Sequence, residues 1–131
     1  MNTRGRLDGK VAFVTAGGGG IGRAIALGLA EAGADVAVFE IVPERAEETA
    51  ARVREFGRQA LAIPGDAMDA DALHAAIAAT DARFGRLDIL VNNAGGVSAR
   101  PFLEQSERSW RRHIDINLVS MLAATHAAAP L

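Results

Sequence analysis

The residues with the clearest chemical meaning are glycines, in a stretch that starts at Thr15. Residues 15–22 read TAGGGGIG and lie between an apolar run, residues 11–14, and a run rich in helix formers. Glycines let the backbone turn tightly and let phosphate oxygens approach backbone N–H groups, while the N-terminus of the next helix adds partial positive charge. A strand, a glycine turn and a helix in this order predict a pyrophosphate site. The residues expected to contact the pyrophosphate are Thr15, Ala16, Gly17, Gly20, Ile21 and Gly22.

The alternative for this stretch is a flexible glycine linker. Strand and helix patterns flank the loop directly, which disfavours a linker.

An acidic residue that ends the second apolar run distinguishes between two dinucleotides. Glu40 lies eighteen residues beyond Gly22. A carboxylate there can accept hydrogen bonds from both ribose hydroxyls, and it would repel a 2′-phosphate. Residues 16–22 contain no arginine or lysine, and Arg23 and Arg45 lie farther along the chain. The sequence therefore favours NAD over NADP as cofactor, with a surface glutamate that binds nothing as the alternative.

Polar residues also follow the third and fourth apolar runs. Asp66 comes after Pro64-Gly65, and Asn92 opens the run NNAG after residues 87–91. Asparagine tolerates a left-handed backbone and supplies amide donors and acceptors, and aspartate is common in turns. Taken alone, each of these segments is as consistent with an ordinary turn as with a binding site.

The elements that must position these residues alternate between strand and helix. Apolar runs predict strands at residues 11–15, 35–41, 60–63 and 87–91, and helices are predicted at 20–32, 43–57 and 69–85. Each crossover is long enough for a right-handed connection between parallel strands. We therefore predict an α/β protein with one domain over residues 1–131. Its Rossmann-type doubly wound sheet would have strand order 3-2-1-4 and be incomplete after strand four.

Two helices carry further expectations. The spacing of Ile21, Ile25 and Leu29 predicts that these side chains form the buried face of the first helix. Ser106 is expected to cap a last helical region that continues through Trp110 toward Leu131, either unbroken or with a break along it.

Composition excludes several classes of function. A net charge of −2 gives no basic surface for nucleic acid, and a chain without cysteine has no thiol chemistry. The three histidines, His74, His113 and His126, are far apart in the sequence and lack metal-ligand spacing, so we expect no metal site. No apolar run approaches the ~20 residues that span a bilayer. We therefore expect a cytoplasmic protein without a membrane partner.

Taken together, these motifs resemble the short-chain dehydrogenase/reductase family over essentially the whole chain, residues 7–131. The loop is similar to the family's TGxxxGIG, and the run NNAG stands at the same place after strand four. Ala16 replaces the family's usual first glycine, so the loop geometry depends on whether alanine adopts the φ required there.

The resemblance implies a role for each matching residue. It places the side chain of Asp66 near the adenine amino group and the backbone N–H of Ala67 near the ring. Asn117, twenty-five residues after Asn92, resembles the catalytic asparagine that holds a water in a proton relay. The residues that would support the sheet and contact the ribose are Asn92, Asn93, Ala94 and Gly95.

The resemblance also implies an activity and a homo-oligomer. Family members transfer hydride between nicotinamide and a secondary alcohol or ketone, and they use a serine and a Tyr-x-x-x-Lys pair downstream of the matching region. This chain has no tyrosine, and its single lysine, Lys10, precedes strand one. Loss of the acid/base group alone lowers a rate by about 10²–10⁴-fold.

We therefore expect this chain to be the cofactor-binding half of an NAD(H)-dependent dehydrogenase and to be inactive by itself. The alternatives are a non-catalytic NAD-binding module and a piece that pairs with another subunit.

Overall fold

The computed structural model describes residues 6–131 and shows a parallel four-stranded sheet in the order β3-β2-β1-β4. The first five residues of the predicted domain lie outside the described residues. The strands are β1 (Val11–Thr15), β2 (Asp35–Glu40), β3 (Ala60–Pro64) and β4 (Ile89–Val91). The helices are α1 (Gly20–Glu31), α2 (Pro43–Glu55), α3 (Ala70–Phe84), α4 (Glu107–Ile114) and α5 (Ser120–Ala128). The predicted fold class and strand order are confirmed.

The register of the strands brings their carboxyl ends together. Thr15 at the end of β1 pairs with Phe39, and Glu40 at the end of β2 pairs with Pro64. On the other side of β1, Val14 pairs with Val91 at the end of β4. Because all four strands are parallel, the four loops that follow them meet at one edge of the sheet.

The two central strands, β1 and β2, are buried on both faces, whereas the edge strands β3 and β4 are partly exposed. One face packs against α3 and α5 and the other against α1 and α2, since alternate residues of a strand point in opposite directions. The first face contains Val11, Phe13, Ala37, Phe39, Leu73 and Ile77. The second contains Val14, Val36, Val38, Ala26, Ala30 and Val53.

The buried face of α1 differs from the predicted one. Ile21 is 73% exposed, and the buried residues of this helix are Gly22, Ala26 and Ala30. These small residues let the start of α1 lie close to the glycine loop and to β1. Ile25 and Leu29 lie at the flank of this contact and are half-buried. The expectation was wrong because it followed side-chain size, whereas close packing of backbone against backbone selects the smallest residues.

The predicted last helix consists of three segments. Ser106 caps α4 as expected, with its hydroxyl accepting a hydrogen bond from Ser109 N at 3.2 Å. A π-helical segment, Asp115–Val119, then connects α4 to α5. Such segments are rare and are found frequently at functional sites.

Helix α5 packs beside α3. This contact stacks the ring of His126 on that of His74, with ring centroids 6.1 Å apart, although the two residues are distant in the sequence. Within residues 6–131, no helix is both long enough and apolar enough to cross a membrane.

Candidate functional site

The glycine loop is closely packed on its inner side and open on its outer side. A Cβ built on Gly22 would overlap the carbonyl oxygen of Ala16 and lie 2.6 Å from Asn93 Nδ2. A Cβ built on Gly19 or Gly20 would have no described heavy atom within 4 Å beyond its neighbours in the chain. A ligand can therefore approach the loop backbone from outside, and the loop cannot move inward to avoid it.

Two residues of the loop have left-handed backbone. Ala16 and Gly20 both have a φ of 51°. The alanine that departs from the family pattern thus adopts the conformation that glycine adopts more readily. The loop geometry is retained here at the expense of local strain at Ala16.

The N-terminus of α1 faces the open side of this loop. Gly19 precedes the helix in an extended conformation, and no side chain among residues 6–131 caps its first turn. By contrast, Asp69 caps α3 by accepting a hydrogen bond from Ala72 N at 3.1 Å. The uncapped N–H groups of α1, together with the helix dipole, make this end suited to an anion.

Thr15 and Asn93 join the loop to the end of β4. The hydroxyl of Thr15 accepts hydrogen bonds from Asn93 N at 3.0 Å and from Ala94 N at 2.9 Å. In return, Asn93 Nδ2 donates to the carbonyl oxygens of Thr15 and Ala16, both at 3.2 Å. These bonds fix the two loops relative to each other, so both residues act here as supports of the site. Asn92 lies beside them and donates from Nδ2 to Thr125 Oγ1 at 3.1 Å, which attaches the same turn to α5.

Glu40 is a nearly buried carboxylate at the end of β2. It is 6% exposed, and its Oε2 atom accepts a hydrogen bond from the backbone N–H of Gly18 at 3.0 Å. Nowhere in residues 6–131 does a lysine or arginine form an ion pair with it. The other carboxylate oxygen has no partner among the described hydrogen bonds and is available to a ligand hydroxyl.

The sequence spacing underestimates how close Arg45 lies to this site. A Cβ built on Gly18 would lie 2.6 Å from Glu40 Cδ and 2.8 Å from Arg45 Cβ. The side chain of Arg45 therefore begins close to Gly18, as that of Glu40 does, although Arg45 is five residues farther along the chain than Glu40.

A small cavity of about 160 Å³ collects residues from four strand ends. Four of its lining residues, Phe39, Ile41, Gly65 and Ile116, are not among the predicted site residues, because none of them carries a polar side chain. The predicted residues that line this cavity are Ala16, Glu40, Asp66, Ala67, Ala94 and Gly95. A larger cavity of about 550 Å³ adjoins it, since Ile41, Asp66 and Ile116 line both.

Asp66 combines the two interpretations that its sequence left open. Its Oδ1 atom accepts a hydrogen bond from Met68 N at 2.9 Å, which is the local bond of a turn aspartate. The residue nevertheless lines the cavity, next to Ala67.

Asn117 lies in the π-helical segment and is bound to backbone on two sides. Its Nδ2 atom donates to the carbonyl oxygens of Gly96 at 2.7 Å and His113 at 2.9 Å, and its Oδ1 accepts from Gly96 N at 3.1 Å. One turn earlier, His113 Nε2 accepts a hydrogen bond from Ser98 N at 2.9 Å. Together these two side chains hold the segment that follows NNAG against the last helices.

The opposite edge of the sheet holds the single lysine. Lys10 Nζ lies 3.8 Å from Asp88 Oδ1, and Arg86 Nη2 lies 2.6 Å from the same oxygen. The hydrogen bond from Arg86 is the main cause that lowers the pKa of Asp88 to about 2, and the bond from Val11 N acts in the same direction. Lys10 is thus part of a charge cluster remote from the cavity.

The residues at the carboxyl edge fit one half of a dinucleotide. The glycine loop and the start of α1 can bind a diphosphate, the carboxylate of Glu40 can accept from a ribose diol, and the cavity beside Ile41 and Ile116 can take a base.

Comparison with known proteins identifies a family that this chain matches. Residues 10–131 match the family described as short chain dehydrogenase. The chain is 40% identical over 123 residues to 2-dehydro-3-deoxy-D-gluconate 5-dehydrogenase of Escherichia coli, which covers 94% of this chain and 48% of that relative. The chain therefore spans about half the length of this relative.

Solved structures of other proteins also match the fold of this chain. Carveol dehydrogenase from Mycobacterium avium in complex with NAD has a TM-score of 0.91 and 34% identity, covering 96% of this chain and 50% of its own. A short chain dehydrogenase from Burkholderia cenocepacia in complex with NADP also has a TM-score of 0.91, with 40% identity, covering 95% of this chain and 51% of its own. Proteins of this shape thus occur with either dinucleotide.

Proposed function

The chain belongs to the short-chain dehydrogenase family, and on that premise we propose that it forms the cofactor-binding part of an NAD(H)-dependent oxidoreductase. The intact enzyme would act in the cytoplasm on a small-molecule secondary alcohol or ketone. Bound NAD(H) would supply the nicotinamide ring that accepts or donates the hydride. The residues of this chain would bind the diphosphate, orient the adenosine ribose and exclude water from the base.

The observation that carries the preference for NAD is the carboxylate of Glu40. It is nearly buried, one of its oxygens is held by Gly18 N–H, and among residues 6–131 it forms no ion pair that would neutralise it. Hydrogen bonds from ribose hydroxyls would satisfy such a group, whereas a 2′-phosphate would bring a second negative charge against it. The Cβ atom of Arg45 lies close to Gly18, and this nearby arginine is the main feature that opposes the preference for NAD.

Asn117 is the residue that we propose for the proton relay. It lies at the carboxyl edge, is exposed, and holds the backbone of Gly96 next to the NNAG turn. Both Nδ2 hydrogens and one lone pair of Oδ1 are used by backbone groups, which leaves the second lone pair of Oδ1 for a water. The first task of this residue would therefore be to fix the segment that borders the reaction site.

The preference for NAD can be tested by calorimetric titration of this chain with NAD and with NADP. We expect Glu40→Gln, which keeps an acceptor for Gly18 N–H and loses the charge, to weaken NAD binding about tenfold through the lost charge-assisted bonds. Binding of NADP should become tighter in the same variant. Glu55→Gln, an exposed change at the end of α2, is the control and should alter neither Kd. A wild-type preference for NADP, or an unchanged ratio in Glu40→Gln, would contradict the proposal.

We expect no hydride transfer from these 131 residues alone, because the sequence provides no tyrosine to move the proton. Reduction of NAD by the purified chain, above the level given by mock preparations from the same host, would overturn this expectation.

A second candidate function, pairing with another subunit, is favoured by a separate surface. The last helices expose Ile114, Leu118 and Leu122, with exposed fractions of 52%, 46% and 56%. Exposed apolar patches often mark protein contacts. Sedimentation of the isolated chain over a range of concentrations would show association if this surface pairs with a second copy.

A further inference from the structure

The peptide groups on either side of Gly18 Cα are held from two directions. The N–H donates to Glu40 Oε2 at 3.0 Å, and the carbonyl oxygen accepts from Arg23 Nη2 at 2.6 Å. Glycine is required here by close approach, because a Cβ would overlap the side chain of Glu40. The orientation of this part of the loop is therefore set by two side chains, Glu40 and Arg23.

The guanidinium of Arg23 is itself fixed by α2. Its Nε donates to Thr49 Oγ1 at 2.9 Å, and Nη1 and Nη2 donate to the two carboxylate oxygens of Glu48 at 3.2 and 3.0 Å. Thr49 is fully buried, and the Arg23 side chain is only 20% exposed. The planar fork of arginine suits this set of partners, whereas lysine presents its donors from a single nitrogen and cannot reproduce the two-pronged geometry.

From this geometry we infer that Arg23 is a positioning residue for the cofactor. It holds the peptide group between Gly18 and Gly19 while Glu40 holds the preceding one, so the two side chains together restrain the loop at Gly18, and Arg23 does so without touching the cofactor. The inference rests on the proposed function, since it concerns how the same site is kept ready for NAD.

Glu48 distinguishes this role from simple attraction between Arg23 and the phosphates. Its carboxylate pairs with the guanidinium, so the positive charge near the loop is largely neutralised. Removal of Glu48 makes the loop region more positive, which by charge alone would strengthen binding of an anionic cofactor. If Arg23 acts by position, the same change must weaken binding, because the guanidinium loses the partner that aims it. The two explanations therefore predict changes of opposite sign in the Kd for the cofactor when Glu48 is removed.

The chain provides a matched control in Arg54. This arginine also joins a glutamate to a backbone carbonyl, with Nη1 2.6 Å from Glu47 Oε1 and Nη2 3.2 Å from Ala60 O. Its carbonyl partner is the first residue of β3, at the opposite edge of the sheet from the glycine loop. Equivalent changes at Arg54 and Glu47 therefore disturb the same chemistry without disturbing the loop.

The experiment measures the Kd for NAD by calorimetry, together with thermal unfolding of each variant. We expect Arg23→Lys to raise the Kd about tenfold and Glu48→Ala about threefold, as for loss of one strong and one weaker contact. Arg54→Lys and Glu47→Ala should leave the Kd within about twofold, as expected of exposed ion pairs. Tighter or unchanged binding by Glu48→Ala, or equal losses in the Arg54 pair, would overturn the inference.

Hydrogen exchange of the Gly18 amide is a second measurement that does not depend on cofactor. Faster exchange in Arg23→Lys and Glu48→Ala than in the two control variants is the expected result, and equal exchange in all four overturns the inference. If wild-type chain binds no NAD, the proposed function fails while the exchange result still decides whether Arg23 holds Gly18.

Discussion

The two edges of the sheet use acidic groups in opposite ways. At the amino edge, the Asp88 carboxylate faces Arg86 and Lys10 and accepts a hydrogen bond from Val11 N at 2.9 Å. At the carboxyl edge, Glu40 has one backbone N–H as its described partner. The first group is satisfied within the protein, and the second has bonding capacity left for something else.

On the proposed function, this difference separates a charge that serves the fold from one that serves the cofactor. A carboxylate surrounded by cations stabilises the fold and offers little to a ligand. A carboxylate with one oxygen held by the backbone and the other reachable from solvent is open to hydrogen bonds from a ligand. The same reasoning separates Lys10 at one edge from Arg23 at the other, since only Arg23 contacts the loop that would receive the cofactor.

The largest expected effect comes from adding a side chain on the closely packed inner side of the glycine loop. Gly22→Ala should destabilise the chain by about 2 kcal/mol, because the new methyl group would overlap the Ala16 carbonyl and crowd Asn93. It should also abolish measurable NAD binding, since the loop must move. Chemical unfolding in urea and NAD titration measure the two effects.

Gly28→Ala in the same helix is the matched control for this change. A Cβ there would meet no described heavy atom within 4 Å, and alanine favours helix, so we expect a gain of about 0.5–1 kcal/mol. Equal stabilities for the two variants would show that the contact at Gly22 is not close.

At the amino edge, Asp88→Asn should cost about 1 kcal/mol near neutral pH, a value kept low by solvent screening of the pair. The pKa of Asp88 is lowered from 3.8 to about 2. Its stabilising effect is therefore fully present above about pH 4 and is lost as the pH falls toward 2. The difference between wild type and variant, from urea unfolding at several pH values, should shrink over that range.

Binding of NAD should not change in Asp88→Asn, because this edge lies opposite the cavity. Asp115→Asn, an exposed change without a described ion pair, controls for the general loss of one negative charge. A pH-independent difference for Asp88→Asn would contradict the assignment of its role.

The smallest effect concerns strain in the loop. Ala16→Gly should stabilise the chain by about 0.5–1 kcal/mol, because glycine adopts the φ of 51° without steric cost. Gly20→Ala, at a residue with the same φ and open space for a methyl group, should have the opposite sign and similar size. Thermal unfolding of both variants compares them directly, and the same sign for both would rule out strain as the cause.

The sequence was sufficient for the parts of the fold that follow from pattern. Four apolar runs separated by helices predict parallel strands whose carboxyl ends meet at one edge, and Glu40 lies at that edge because it ends the second run. The order 3-2-1-4 comes from the Rossmann-type pattern that this alternation indicates.

The remaining features depend on contacts between elements. The hydrogen bond from Arg23 to the carbonyl oxygen of Gly18 forms in the orientation that the packing of α1 against α2 gives the arginine. The closeness of Arg45 to Gly18 arises from the turn after β2. The prediction of the buried face of α1 was wrong for the same reason, since contact with the loop backbone favours burial of Gly22 over Ile21. The π-helical segment that presents Asn117 has no sequence signature that the chain alone reveals.

The most direct test of the difference between the two edges is titration of isotope-labelled chain with NAD, followed by amide resonances. We predict saturable shifts at Gly18, Gly22, Glu40, Ala67 and Gly95, and no shifts at residues 86–88. Shifts confined to the amino edge, or no saturable shifts at millimolar NAD, would contradict the assignment of the carboxyl edge as the cofactor site.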